Sequence, residues 1–201
     1  KEPIAPDISS LPVLPDDWTW AAVDQLCSEF GNGLSKKPQH SPPGVPILRI
    51  SAVRPLSVNE TDLRYYAPEE NEKLDSYYVH RGDILFTRYN GSAELVGVSG
   101  IYEGNEPVLH PDKLIRASVV SKSLVEPQYL ALCMNAGESA KHIRAWVKTS
   151  AGQHGIAGSD IKRAPVPLPP LDEQREIVEQ YAVAESMTEV GISRCVFLNA
   201  C

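Results

Sequence analysis

Two short stretches of the sequence combine side chains that could recognise nucleic-acid bases. The first, Arg88-Tyr89-Asn90-Gly91-Ser92, offers a guanidinium, an aromatic ring, an amide and a hydroxyl at the end of a predicted strand. The second, Ser150-Ala151-Gly152-Gln153-His154-Gly155, repeats this chemistry in a predicted flexible loop. Arginine matches the major-groove edge of guanine, Asn and Gln match that of adenine, and hydroxyls suit phosphates. Ordinary solvated loops contain the same residue types, so the pattern alone leaves both interpretations open.

Further basic residues lie in the middle of the chain, where Arg49, Arg54, Arg88, Arg116 and Lys148 fall in or beside predicted strands and loops. The formal net charge is -7, but acids concentrate in residues 1–30 and 171–201, which leaves the middle slightly basic. A DNA-binding face needs local rather than overall positive charge. Two lysines of a Gly-, Pro- and Ser-rich loop are expected mainly to contact phosphate. The candidate DNA-binding residues are Lys36, Lys37, Arg49, Arg54, Arg88, Tyr89, Asn90, Ser92, Gln153 and His154.

Patterns typical of catalysis or metal binding are weak. Phe30-Gly31-Asn32-Gly33 is similar to a glycine-rich cofactor loop, but Pro38 follows where the helix of such a loop would begin. Asp112 and Asp160 fit a magnesium-dependent nuclease pattern only across a long separation. The cysteines form no CxxC pair and the histidines no HxxxH pair, which disfavours a zinc site and favours free thiols. We expect no catalytic residue, no metal, no cofactor and no membrane span.

The elements that must position these residues change in type along the chain. Apolar and β-branched stretches bounded by turn residues predict strands at 44–53, 81–88, 94–102 and 114–120. The polar, acidic residues 60–80 predict a loop or a short helix. Pro127 starts a predicted helix, Gly137 breaks it, and a second helix covers 138–147. Strands first and helices later predict an α+β fold with a mixed, mainly antiparallel twisted sheet and helices in the second half.

The two ends differ from this central region. Residues 1–17 contain four prolines and predict an extended linker, after which the Trp18 and Trp20 region predicts a strand. A last helix begins at Leu171, is expected to end at Gly191, and is followed by an irregular tail. The predicted organisation is a linker at 1–17, a domain at 18–170, and the start of a helix with a tail at 171–201. Spacings of three and four residues on this helix predict a helix–helix seam with a protein partner, formed by Gln174, Ile177, Tyr181 and Ala184.

Several motifs, taken in order, resemble the specificity subunit of type I restriction–modification systems, specifically one target-recognition half of it. The resemblance covers roughly residues 11–180. The most specific motif is the closing Pro-Leu-Pro-Pro-Leu-x-Glu-Gln-x-x-Ile-Val stretch, at 167–178. The matching stretches are Leu14-Pro15-Asp16-Asp17-Trp18-Thr19-Trp20, residues 44–50, 82–88, 126–130, 149–156 and 161–178.

This resemblance implies a non-catalytic, cytoplasmic reader of double-stranded DNA, in which residues 18–170 recognise one half of a bipartite site. It also implies methyltransferase (modification) subunits as partners and, through them, the restriction subunit. The second recognition half would lie in the same or a partner chain. The helix after Leu171 resembles the start of the spacer that binds the methyltransferase subunits, and Arg49, Arg88 and Gln153 lie in matching stretches.

Two other classes of function stay open from the sequence. One is a fragment of a DNA-modifying enzyme, either a nuclease or a fused methyltransferase, which would turn over DNA with magnesium or with S-adenosylmethionine. The other is a protein-interaction module that uses the C-terminal helix, with incidental DNA contact. Association by such a module would depend on residues 171–201. Sedimentation of the chain with and without these residues would therefore separate association from DNA binding.

Overall fold

The structure is a computed structural model that describes residues 2–150 and 152–198, and from residue 188 onward it describes the backbone alone. Its strands are β1 (Thr19–Ala22), β2 (Cys27–Asn32), β3 (Val45–Leu48), β4 (Val53–Arg54), β5 (Leu56–Val58), β6 (Leu63–Tyr66), β7 (Tyr78–Val79), β8 (Ile84–Thr87), β9 (Tyr89–Asn90), β10 (Ser99–Ile101), β11 (Val108–Leu109), β12 (Leu114–Val119), β13 (Lys148–Ser150), β14 (Gln153–Gly155) and β15 (Pro165–Leu168). Its helices are α1 (Val23–Leu26), α2 (Pro127–Asn135), α3 (Gly137–Trp146), α4 (Gly158–Lys162) and α5 (Leu171–Leu198).

Strand β8 lies at the centre of the fold because its side chains are buried on both faces. Successive residues of a strand point to opposite sides, so Ile84 and Phe86 pack on one side and Leu85 on the other. The first pair belongs to a core that includes residues of α2, α3 and β15. Leu85 packs instead with Leu48 and Val79 of the opposite layer. A strand between two cores needs a continuous apolar stretch, which explains the run at 84–86.

The strands form a mixed, mainly antiparallel arrangement. Around β8 the sheet order is β2-β12-β8-β10-β5-β4, with β10 and β5 parallel and the other pairs antiparallel. A second sheet, β6-β3-β11-β7, covers the layer that contains Leu85. Strand β1 pairs with β15, and β13-β14-β9 form a three-stranded sheet. This arrangement, followed by helices in the second half, confirms the predicted α+β class.

The two predicted helices of the second half form where their sequence signals lie. Pro127 occupies the first turn of α2, where its missing N–H costs nothing. Gly137 has φ +62°, a left-handed conformation that glycine adopts without steric cost, and α3 starts at this residue. Ala140 and Ile143 are buried on one side of α3. No helix in the described part of the chain combines the length and apolarity that a membrane span requires.

Several local predictions were wrong because long-range pairing overrides local composition. Residues 60–80 contain strands β6 and β7 rather than only a loop or helix, and β6 forms because it pairs with β3. Within 94–102 only β10 is a strand, while 93–95 form a 3-10 turn. The predicted flexible loop at 149–158 contains a β-hairpin made by β13 and β14. The hairpin is stabilised on its other edge by β9.

The last helix is longer than predicted. It continues through Gly191 to Leu198, so the prediction that Gly191 ends it was wrong. A glycine inside a helix costs about 1 kcal/mol relative to alanine, which is too little to end a helix by itself. The part of the predicted irregular tail up to residue 198 is therefore helical, and residues 199–201 lie outside the described residues.

The proline-rich N-terminal segment is extended, and it is also hydrogen-bonded to the domain. Residues 2–17 contain no helix or strand. The Ile4 amide donates to Asp24 Oδ2 at 2.9 Å, and Trp20 Nε1 donates to the Pro12 carbonyl oxygen at 3.2 Å. Trp18 Nε1 donates to Glu173 Oε2 of α5 at 3.0 Å. The segment and the start of α5 therefore meet at the same end of the domain, next to β1.

Candidate nucleic-acid interface

The three-stranded sheet brings together the two stretches that the sequence analysis selected. Strand β14 runs antiparallel to β9 and places His154 opposite Asn90 and Gly155 opposite Tyr89. On its other side, β13 places Lys148 opposite Gly155, together with the pairs Thr149–His154 and Ser150–Gln153. Residues more than sixty positions apart in the sequence thus form one continuous surface. The Gln153 side chain is exposed on this surface.

Arg88 lies at the edge of this sheet, held by its backbone and by its side chain. Its amide donates to the Lys113 carbonyl oxygen at 2.8 Å, and its own carbonyl oxygen accepts from the Ile156 amide at 3.0 Å. The guanidinium carbon is 4.7 Å from the centroid of the Tyr89 ring, and Nη1 donates to the Asp112 carbonyl oxygen at 3.3 Å. The buried Nε has no hydrogen-bond partner among the described residues. Arg88 therefore presents a pre-oriented guanidinium with unused donor capacity.

Asn90, Ser92 and His154 are engaged in hydrogen bonds within the chain. Asn90 Oδ1 accepts from the Ser92 amide at 3.1 Å, and the Ser92 hydroxyl donates to Glu94 Oε2. His154 Nδ1 lies 2.9 Å from Thr149 Oγ1. The Ser92 hydrogen bond, with a smaller contribution from nearby His154, lowers the pKa of Glu94. An ionised carboxylate therefore lies close to this part of the sheet.

Arg54 reaches the same region from β4. Together with Asn90, Thr87 and Leu95 it lines a cavity of about 350 Å³. Its guanidinium Nη1 donates to the carbonyl oxygens of Ser51 and Val53, the second at 3.1 Å. These bonds hold the guanidinium against β4 and against the 3-10 turn at 50–52 that precedes it.

The remaining predicted cations are Lys36, Lys37 and Arg49, and two of them, Lys36 and Arg49, are ion-paired. Lys36 Nζ is 2.8 Å from Glu69 Oε1 and 3.1 Å from Glu72 Oε1, and the Glu69 hydrogen bond is the largest cause that raises the pKa of Lys36. Arg49 Nη1 is 2.9 Å from Asp62 Oδ1. Lys37 is exposed and has no ion pair with the described residues. The structure thus does not bring Lys36, Lys37 and Arg49 onto the three-stranded sheet.

Arg116, one of the basic residues of the middle region, is buried rather than available to a ligand. Its Nη1 is 3.0 Å from Asp83 Oδ2 and its Nη2 is 2.5 Å from Glu29 Oε2. Ser118 Oγ donates to Asp83 Oδ1 at 2.5 Å, so the polar groups of this network satisfy one another. The bonds to Asp83 and Glu29 outweigh burial and raise the pKa of Arg116. The sequence does not reveal this ion-pair network, because Asp83 and Glu29 are both far from Arg116 in the chain.

Two surface residues of the interface were not on the list of candidates. Lys148 was noticed only as one of the basic residues, and the pairing with Gly155 now places it on the sheet. Its Nζ is 6.0 Å from the ring centroid of Trp146, an indole that is 42% exposed at the end of α3. Ser150 is exposed and paired with Gln153. The signal for a hairpin in residues 148–155 is weak, because these residues are polar or small and only Gly152 marks a turn.

The predicted partner-binding seam is wrong for Gln174. This side chain is fully buried inside the domain: its Oε1 accepts from the Glu126 amide at 2.9 Å, and its Nε2 donates to the carbonyl oxygens of Leu124 and Pro169. Ile177 packs partly against the main core. Tyr181 is 40% exposed and lines a shallow groove with Leu132 and Val178. Ala184 lies one turn further along α5. A polar residue on a helical stripe is buried here because three backbone groups need its amide.

Cysteine, histidine, aspartate and glutamate side chains do not form a group of three that could hold a metal ion within the described residues. Cys27 and Cys133 are free thiols. Burial raises the pKa of the Cys27 thiol to about 12 and that of Cys133 to about 11. Both thiols are therefore protonated at neutral pH.

Comparison with known proteins relates this arrangement to one family. A family model described as the type I restriction modification DNA specificity domain matches residues 15–181. The chain is 43% identical over 159 residues to the type I restriction enzyme EcoKI specificity subunit of Escherichia coli (strain K12), covering 78% of this chain and 34% of that protein. It is 30% identical over 167 residues to the putative type I restriction enzyme MjaX specificity subunit of Methanocaldococcus jannaschii, covering 83% and 39%.

Solved structures show the same fold. The HsdS subunit from Thermoanaerobacter tengcongensis matches with a TM-score of 0.62 at 19% identity, over 90% of this chain and 40% of that one. A chain from a structure of type I R-M complex assembly and conformational transition matches with a TM-score of 0.66 at 18% identity, over 90% and 42%. The chain spans between a third and two fifths of the length of the EcoKI and MjaX specificity subunits. The family model matches residues 15–181, which is most of this chain. The chain therefore belongs to the family of type I restriction modification DNA specificity domains.

Proposed function

We propose that this chain is a sequence-specific DNA-binding domain that reads one half of a bipartite target site in double-stranded DNA. The observation that carries the proposal is the register of the three-stranded sheet, which joins the Arg88–Ser92 and Ser150–Gly155 stretches into one surface. The relatives are named specificity subunits rather than nucleases or methyltransferases. We accordingly propose that the domain itself carries out no covalent chemistry.

The geometry suits the major groove of B-form DNA. That groove admits a two-stranded β-ribbon, and each base pair presents a distinct pattern of donors and acceptors there. The β13–β14 hairpin is such a ribbon, with exposed residues from Lys148 to Gln153 where the structure describes them. The amide of Gln153 can pair with the N6 and N7 positions of adenine, and Arg88 with the O6 and N7 positions of guanine. The hydroxyls and Lys148 suit phosphates.

Helix α5 provides the proposed attachment to protein partners. It extends beyond the domain to Leu198, and Tyr181, Val183 and Met187 are exposed large apolar residues on it. Such residues on a projecting helix favour packing against another protein surface. We propose methyltransferase subunits as the direct partners, with the restriction subunit joining through them. The second half-site would be read by another domain of the same or a partner chain.

The proposed organisation follows from these assignments. Residues 18–170 form the recognition unit, residues 1–17 lead into it, and residues from 171 onward start the spacer. A cytoplasmic location follows from the proposed task, since the DNA of a cell that carries such a system lies there. A protein-interaction module is the second candidate, and the exposed apolar residues of α5 are the observation that favours it.

An exchange of recognition units tests the proposed function. Residues 18–170 of this chain replace the corresponding region of a related specificity subunit, which is expressed with its modification subunits, and methylated bases are mapped across the host genome. We expect one half of the methylated motif to change and the other half to stay the same. A control exchange replaces only residues 171–187 and should leave the motif intact. An unchanged motif in the first chimera, with methylation still present, would contradict the proposal.

A further inference from the structure

The three-stranded sheet has two faces, and its register assigns each residue of the candidate interface to one of them. Neighbouring residues of a strand point to opposite faces, and directly paired residues point to the same face. Tyr89 pairs with Gly155, Gly155 pairs with Lys148, and Ser150 pairs with Gln153. We name the side with Tyr89, Lys148, Ser150 and Gln153 the outer face. The opposite side, with Asn90, Thr149 and His154, is the inner face.

Two side-chain contacts support this assignment independently of the register. On the inner face, Thr149 Oγ1 and His154 Nδ1 are 2.9 Å apart, as expected for paired residues on one side. On the outer face, a Cβ atom added to Gly155 would lie only 2.5 Å from Cδ1 of Tyr89. The Tyr89 ring therefore occupies the space beside Gly155 that a Cβ would fill, and a larger residue at 155 would displace it.

The inner face contacts the domain through Asn90 and lies near both the Arg54 cation and the Glu94 carboxylate. Asn90 lines the cavity that also contains Arg54 and Leu95, and its Oδ1 already accepts from the Ser92 amide. Glu94 is held ionised by the Ser92 hydroxyl and lies near His154. A phosphate backbone on this side would meet the Glu94 carboxylate. Asn90 would have to give up its hydrogen bond with the Ser92 amide to reach a base.

The outer face has the opposite character. Lys148, Ser150 and Gln153 are exposed. The Lys148 ammonium group forms no ion pair with the described residues. The Arg88 guanidinium lies 4.7 Å from the Tyr89 ring centroid, which adds a second cation beside this face. The face thus combines an amide, a hydroxyl, an aromatic ring and two cations, and neither cation forms an ion pair within the described part of the chain.

We propose that the outer face alone reads the DNA, with Gln153 as a base-reading side chain and Lys148 as a phosphate contact. Asn90 and His154, which the sequence suggested as DNA contacts, then hold the ribbon in position from the inner face, and Ser92 holds Asn90 through its amide. The proposal rests on the proposed function, because it names the specificity residues of that same site. It goes further in separating two neighbours, Gln153 and His154, into a reader and a support.

Adjacent substitutions on the two faces test this assignment. The protein is prepared as wild type, Gln153→Ala, His154→Ala and Lys148→Ala, and each selects from a duplex library with a randomised core. Thermal unfolding identifies which variants are folded, and Asn90→Ala replaces His154→Ala if the latter is not. We expect Gln153→Ala to lose about 5- to 150-fold of its preference at one base position. We expect Lys148→Ala to bind all sequences more weakly, with a salt slope smaller by about 0.9.

The inner-face variant decides the outcome. We expect His154→Ala, or Asn90→Ala in its place, to select the same sequence as wild type even where its stability is lower. A changed preference in the inner-face variant, or an unchanged one in Gln153→Ala, would overturn the face assignment. A wild-type protein that selects no sequence would instead overturn the proposed function, and the face assignment with it.

Discussion

Replacing Gln174 with methionine removes the amide that connects α5 to the rest of the domain. Methionine has a similar length and volume, so the main change is the loss of hydrogen bonds and not the creation of a cavity. The side chain makes three such bonds, to the Glu126 amide and to the Leu124 and Pro169 carbonyl oxygens. At about 1 kcal/mol for each bond, the expected loss of unfolding free energy is about 3 kcal/mol.

This loss is large enough to measure by thermal unfolding. For a protein of this size 1 kcal/mol corresponds to a shift of about 2–4 °C, so Tm should fall by about 6–12 °C. Gln180→Met is the matched control, because Gln180 is an exposed glutamine of the same helix whose side chain donates to Glu176 and to no other described residue. The control should change Tm by less than about 2 °C. Equal shifts in the two variants would refute the structural role of Gln174 and return it to the list of partner-binding residues.

Three further changes test other parts of the structure. Arg116→Met should lower the unfolding free energy by about 3–5 kcal/mol in urea titrations, because it leaves a buried carboxylate unpaired; an unaltered midpoint would show that the network contributes little. Lys37→Ala should reduce the salt slope of DNA binding by about 0.9, and the ion-paired Lys36 should contribute less, so equal slopes for the two alanine variants would argue against this distinction. Stability should fall as pH rises from about 9 to about 12, since the Cys27 thiol has an ordinary pKa of 9.0 when unfolded and about 12 when folded. In Cys27→Ala this decline should be smaller, and an identical pH profile would contradict the burial of the thiol.

The sequence predicted elements whose signals are local. The strand at 84–87 and the helices that begin at Pro127 and Gly137 form where apolar periodicity, proline and glycine place them. The α+β class followed from the order of those elements. Strand β6 and the β13–β14 hairpin were missed because their stability comes from partners elsewhere in the chain, β3 and β9.

For the candidate site, the sequence identified useful residue types but not the environment of each residue. The Arg88–Ser92 and Ser150–Gly155 stretches were selected for their chemistry, and the structure joins them. Their division into two faces depends on the register, and a shift by one residue would exchange the faces. Likewise, nothing near Arg116 in the sequence indicates that Asp83 and Glu29 neutralise it. A polar side chain can be interpreted only after its distant partners are known.

The distribution of ion pairs also explains how an acidic chain can serve as a DNA reader. Lys36 and Arg49 have carboxylate partners, so contact with phosphate there must replace an attraction that already exists. Lys37 and Lys148 are exposed and form no ion pair with the described residues, so phosphate contact by either lysine breaks no existing attraction. Phosphate contacts of this kind position a protein on DNA, whereas contacts in the grooves distinguish the base pairs. A chain of net charge -7 can therefore offer local unpaired cations to phosphate while other side chains discriminate between base pairs.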